Sequence, residues 1–252
     1  MKSLIFRSLW LGGLALLPVS SVAFDHSLFT QVLAEHVDNG LVDYRMIKSD
    51  RNFDRYLSKL ATTDPSALSS PSEKIAFWIN AYNAYTLRLV ADAYPIDSIH
   101  DIGTGGRIIG HLLKKTPWDI EMAEVGGQKL TLNHIEHEIL RKQFTEPRIH
   151  FALVCAAVSC PPLRSEAYVA ARLDEQLDDQ ARIFLADPTK NRFDSSKRRA
   201  ELSAIFSWFK EDFGGSDGSV LAFVNPYVKP AIDAKWALRQ TDYDWSLNDQ
   251  KR

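Results

Sequence analysis

The chain has 252 residues, with 30 Lys and Arg against 32 Asp and Glu, a net charge of -2 and 45% hydrophobic residues. The near-neutral balance and the lack of a basic stripe exclude a nucleic-acid binder. The apolar content and six tryptophans suffice for a substantial core.

Lys2 and Arg7 precede an apolar run from Leu9 to Val19, and Ser21-Val22-Ala23 follows with small residues. This is the pattern of a secretory signal peptide cut after Ala23. The run is shorter than the roughly 20 residues a spanning helix needs. The expectation is an exported chain, periplasmic or secreted, with signal peptide 1–23, a single α+β domain over 24–252 and no stable membrane insertion.

Ser27 to Val37 reads as a helix, Asp38-Asn39-Gly40 as a turn, Leu41 to Tyr44 as extended, and Met46 to Leu60 as a second helix. Ser70-Pro71-Ser72-Glu73 carries a cap, a first-turn proline and a capping-box glutamate. The helix it starts runs to Tyr94 and is apolar almost all round through Phe77-Trp78-Ile79-Asn80-Ala81-Tyr82-Asn83, so it belongs in the interior. Asn80 and Asn83 share a face. Buried amides there either tie down neighbouring loops or serve a site.

Ile99 to Gly110 is a glycine-rich loop without the lysine of a phosphate loop. Trp118–Val125 and Lys129–Leu132 flank Gly126-Gly127 as a hairpin. Asn133 to Arg141 reads as a short helix, with Asn133 as cap and Glu136 at the capping-box position. His134, His137 and Glu138 lack the spacing of a zinc helix, so no metal is expected, and no cofactor motif is present.

Arg148 to Cys155 reads as a central strand with His150 on one face and Cys155 on the other. Ser165 is placed to cap a helix from Glu166 to Ala186. Arg192–Ser203 reads as extended, and Ile205–Phe213 and Val220–Val228 as helices.

Cys155 and Cys160 are the only cysteines. A bridge between them closes a small loop and adds little stability, and their spacing is not C-x-x-C. Cys155 fits strand packing. Cys160, before Pro161-Pro162, sits where a helix entry lowers a thiol pKa. His137 or His150 is the candidate base and Glu136 the orienting acid, with Trp78, Asn80, Asn83 and Ser159 as substrate-binding candidates.

The segments Gly40–Tyr44, Phe77–Asn83, Ile135-Glu136-His137 with Ile139–Arg141, His150–Leu153 through Ser159–Leu163, Phe206–Trp208 with Asp212-Phe213, and Tyr243–Trp245 with Leu247-Asn248 resemble the family called domain of unknown function 547. One position departs: Val154 stands where the family pattern has asparagine. The resemblance implies a core like that of papain-like and transglutaminase-like cysteine enzymes, with helices on a small antiparallel sheet, and binding of a thiol peptide such as glutathione. In papain-like enzymes, however, the cysteine precedes the histidine. The resulting expectation is a cysteine-dependent hydrolase or acyl transferase acting on a peptide or amide. The alternatives are a non-catalytic module binding a peptide or thiol, and a redox role for the cysteine pair.

Overall fold

The structure, a computed structural model, describes residues 23–103, 116–229 and 231–250. Both the signal-peptide segment up to Val22 and the loop glycines Gly105, Gly106 and Gly110 lie outside the described residues.

The mixed α+β class holds. Helix α1 (Ser27–His36) leads into the two-residue strands β1 (Val37–Asp38) and β2 (Leu41–Val42). Asn39 and Gly40 both take positive φ, 50° and 81°, as a two-residue primed turn requires. Gly40 also faces Pro162: a Cβ there would lie 2.5 Å from the proline Cβ. The expected second helix divides into α2 (Tyr44–Ile47) and α3 (Arg51–Thr62) because Asp50 caps a fresh start, accepting from the Asn52 and Phe53 amides.

Helix α4 (Pro71–Ala93) is the axis of the fold, buried on every side from Ile75 to Leu87. Ser70 caps it. The Glu73 carboxylate turns back over the helix start, where, against the effect of burial, the Ser69, Phe24 and Ser70 backbone lowers its pKa, and it accepts from the Ser69 amide and hydroxyl and the Phe24 amide, fastening the start of the described chain to the helix.

The hairpin forms, as β3 (Ala123–Val125) and β4 (Gln128–Leu130). The next segment is a π-helical stretch, α5 (His134–Leu140), continued by α6 (Arg141–Gln143). Asn133 does not cap it: Thr131 Oγ1 accepts from the His134 amide, and Asn133 donates to Asp119. Glu136 is therefore free of any capping duty.

The central strand is absent. Ile149–Ala152 forms a helical turn, α7, the chain leaves it extended at Leu153, and Leu153 to Cys155 belong to no strand. The reason lies on α4. Asn83 donates to the Ala152 carbonyl and accepts from the Val154 amide, both at 2.9 Å, so one buried side chain supplies the bonds a ladder would.

The helix expected from Glu166 begins only at Leu173, as α8 (Leu173–Ala186), after a 3₁₀ turn over Ala170–Arg172. Buried amides again hold the intervening chain. Asn80 clamps both backbone groups of Tyr168, Gln176 binds Ala167 and Val169, and Gln180 donates to Pro162.

Strands β5 (Arg192–Asp194) and β6 (Arg199–Leu202) form an antiparallel pair, helices α9 (Ile205–Trp208) and α10 (Asp217–Val224) follow, and β7 (Ala237–Gln240) joins β6 in parallel. A single antiparallel sheet is thus not what the helices pack on; the described strands form three small sheets, one of them mixed. The buried side chains form two clusters, one around α4 and one where Phe151, Phe184, Phe206 and Phe213 meet. No helix among the described residues is long and apolar enough to cross a membrane.

Candidate functional site

A cleft of about 190 Å³ opens where the two clusters meet. Glu136, His137, His150 and Cys160 all line it, together with Cys155, Tyr82, Trp118, Trp208, Phe209, Tyr243 and Trp245.

One wall is polar. Asp212 lies in a short 3₁₀ turn (Lys210–Phe213) and receives Arg141 through two bonds, at 2.6 and 3.0 Å, and His150 Nε2 at 2.7 Å. The hydrogen bond from His150, then those from Arg141, hold Asp212 well below the usual carboxylate range. His150 is 3% exposed and stacks on Phe209 at 3.9 Å, and this burial pushes it below its ordinary value. It is therefore neutral, donating Nε2–H to Asp212. Arg141 also donates to His137 Nδ1 at 3.1 Å, which leaves His137 Nε2 to carry the proton. Burial and then the Arg141 charge lower the pKa of half-buried His137. Glu136, 8% exposed, meets the Tyr82 hydroxyl, and burial raises its pKa to about 7.

The other wall is sulfur and aromatic. Cys155 and Cys160 form a disulfide. The expectation of a free Cys160 thiolate at a helix entry is corrected on both counts: the sulfur is bonded, and no helix begins between Cys160 and Ala170. Cys160 Sγ accepts from the Cys155 amide at 2.9 Å and from the Tyr243 hydroxyl at 3.4 Å, and that hydroxyl is also 3.2 Å from Cys155 Sγ. Cys160 is 3% exposed, while Cys155 is only partly buried.

The loop between the cysteines is held by the C-terminal segment. Val158 and Ser159 donate to Ser246 and Asp244, the Asp244 amide donates to Ser159 Oγ, and the Asn248 amide donates to Ala156. Asn248 is itself anchored by the Tyr44 hydroxyl at 2.6 Å and by its own bond to Gly40. Ala156 takes φ 63°, a left-handed conformation that costs an L-residue about 1 kcal/mol.

The sequence candidates thus separate. Glu136, His137, His150 and Cys160 come together in the cleft. Asn80 and Asn83 clamp backbone behind it, Ser159 binds the C-terminal segment, and Trp78 packs edge-on against Phe77 in the core. Sequence reasoning did not assign Arg141, Asp212, Tyr82, Tyr243, Trp208 or Trp245 to the site. The signal was partial: several of them fall in the motif segments, but their partners lie far off in sequence, Tyr243 pairing with Cys155 across 88 residues.

A sequence model of the family described as "Protein of unknown function, DUF547" matches residues 65–185. Over that span, just under half of the 252 residues, the chain is similar to this family. The DUF547 segment contains Asn80, Asn83, Glu136, His137, Arg141, His150 and both cysteines. The residues that complete the cleft, Trp208, Asp212, Tyr243 and Trp245, lie beyond it. No curated protein and no solved structure matches the chain. The comparison with papain-like and transglutaminase-like cores accordingly finds no support.

Proposed function

We propose that the cleft is a thiol–disulfide exchange site of an exported protein, acting on a peptide or small thiol. The observation that carries this reading is the Cys155–Cys160 bond lying in the wall of the cleft, with Cys160 Sγ facing two hydrogen-bond donors. An incoming thiolate attacks the more exposed Cys155 sulfur. A new S–S bond forms as the Cys155–Cys160 bond breaks, and the electron pair leaves on Cys160; a second substrate thiolate then attacks the substrate sulfur of this mixed disulfide, releasing the substrate disulfide and leaving Cys155 as a thiol. The Cys155 amide and Tyr243 hydroxyl stabilise the Cys160 thiolate. The proton of the incoming thiol passes to Glu136 in its ionised form, its pKa of about 7 matching the task. A second, external disulfide recharges the pair by the reverse exchange. A structural bridge is the weaker account, because the loop is fastened by the C-terminal segment independently of the sulfurs.

The test is trapping. Cys160→Ser should hold a mixed disulfide on Cys155 when given a peptide disulfide, seen by intact mass. Cys155→Ser should form it far more slowly on buried Cys160. Reduction of the wild-type pair no faster than that of a short peptide carrying the same loop would end this reading.

A second reading concerns the reduced protein, because Glu136 and His137 line the same cleft as Cys160. Here the Cys160 thiolate attacks an amide or thioester carbonyl with one of them as base, giving a cysteine-dependent hydrolase or acyl transferase. His150 is the poorer base, being committed to Asp212 beneath Phe209. Turnover of a peptide or thioester panel by the reduced protein, lost in Cys160→Ser, selects it. Ligand binding with neither exchange nor turnover selects the non-catalytic module.

A further inference from the structure

The aromatic residues of the cleft form a continuous strip that starts at the sulfurs. The Tyr243 hydroxyl touches both of them. Its ring lies 4.6 Å from Trp245 and 4.7 Å from Trp208, and the two tryptophans stack at 5.7 Å and 22°. Trp118 extends the strip, edge-on to Trp245 at 6.1 Å. Trp208 is 48% exposed, so the strip ends on open surface.

A large solvent-facing tryptophan beside a reactive group is an unusual use of apolar area, since such rings normally bury their faces. The Trp208 ring, separated from the disulfide by the Tyr243 side chain alone, is where the side chain next to a bound cysteine would fall, given about 3.3 Å per extended residue.

The charges select further. No lysine or arginine is among the described residues lining the cleft, and Arg141, beside its polar wall, is held by Asp212 and His137 and lies over the Phe209 ring. Glu136 lines the same cleft and carries negative charge there once ionised, while the Asp212 charge is met by Arg141.

We infer that the substrate is a peptide whose cysteine is flanked by an aromatic residue and by no acidic one, the aromatic ring stacking on Trp208 and Trp245. Glutathione, with two carboxylates and no aromatic group, is a poor fit. This inference rests on the exchange reading for its chemistry but not for its binding step, so the two fail separately.

The experiment uses capped, amidated tripeptides with cysteine at the centre and glycine, tryptophan or glutamate beside it, together with glutathione. The second-order rate of reduction of the Cys155–Cys160 pair is measured at pH 7, each rate scaled to that of the same thiol on a free reference disulfide. The tryptophan-flanked peptide should react about tenfold faster than the glycine-flanked one, as expected when one aromatic side chain is largely buried. Glutamate-flanked peptide and glutathione should be slowest.

Trp208→Ala, at a half-exposed position, should bring the tryptophan-to-glycine ratio close to one. Serine analogues, which cannot exchange, should bind in the same order by tryptophan fluorescence. Equal rates and equal binding for the glycine and tryptophan series, unchanged in Trp208→Ala, overturn the inference. Aromatic-selective binding of the serine analogues, with no reduction by any thiol, overturns the exchange chemistry and upholds the inference.

Discussion

The two walls of the cleft are built on opposite plans. On the polar wall, Arg141, Asp212, His137 and His150 form one chain of charge-assisted bonds, and each member fixes the protonation state of the next. On the sulfur wall, the chemistry-bearing loop owes its shape to backbone bonds with the C-terminal segment. The first wall is therefore sensitive to the loss of any one side chain. The second should tolerate a change in its sulfurs.

The largest effect should come from breaking the polar wall at its centre. Asp212→Ala leaves the Arg141 and His150 groups without their acceptor and should cost about 4 kcal/mol, measured by denaturant unfolding. A loss below about 1 kcal/mol would show that the network is not what holds this wall.

Next in size is a pH effect. The native pKa of Glu136, about 7, stands above its ordinary value of 4.5. The native state therefore prefers the protonated form, and the stability tied to it is present below pH 4.5 and lost as pH rises to about 7. Glu136→Gln keeps the neutral form and should remove this slope. The gap between variant and wild type should grow by about 3 kcal/mol between pH 4.5 and 8. Parallel stability profiles would contradict the assignment.

Asn83→Ala tests the support behind the sulfur wall. It leaves the Ala152 carbonyl and the Val154 amide unpaired in the interior and should cost about 2 to 3 kcal/mol. Hydrogen exchange should show the Val154 amide losing its protection, which a general loosening would not confine to that segment.

The sulfurs themselves should matter least to stability on this wall. Cys155→Ser with Cys160→Ser closes no loop and should cost under about 2 kcal/mol, because the loop is short and held from outside. A larger loss, read from thermal unfolding, would make the bridge a staple and weaken the exchange reading. Smaller still, Ala156→Gly should raise stability by up to about 1 kcal/mol, since glycine takes the left-handed conformation freely.

How much was legible in the sequence depended on the range of the interaction. Helix α4 was readable because Ser70, Pro71 and an apolar run lie within one segment. The β3–β4 hairpin was readable because Gly126-Gly127 announce it. The strand at Arg148–Cys155 was misread because its alternation is real, while its hydrogen-bond partner is Asn83, one side chain from 69 to 71 residues away. The helix at Glu166 was misread for a related reason: Asn80 and Gln176 capture the backbone groups a helix would use. Glu136, His137, His150 and Cys160 were found as candidates by residue type, but Asp212 was not, since nothing local marks an aspartate as the acceptor for His150.

The sequence by itself determined the interior helix, the mixed α+β class, the similarity of residues 65–185 to one family and the residues able to do chemistry, because periodicity, caps and reactive side chains are local properties. Only the tertiary structure decided that Cys155 and Cys160 are joined, that His150 is spent on Asp212, and that Tyr243, Trp245 and Trp208 complete the cleft. Those outcomes depend on which buried groups find partners across the fold, and a buried polar group is satisfied by distance in space rather than by distance along the chain.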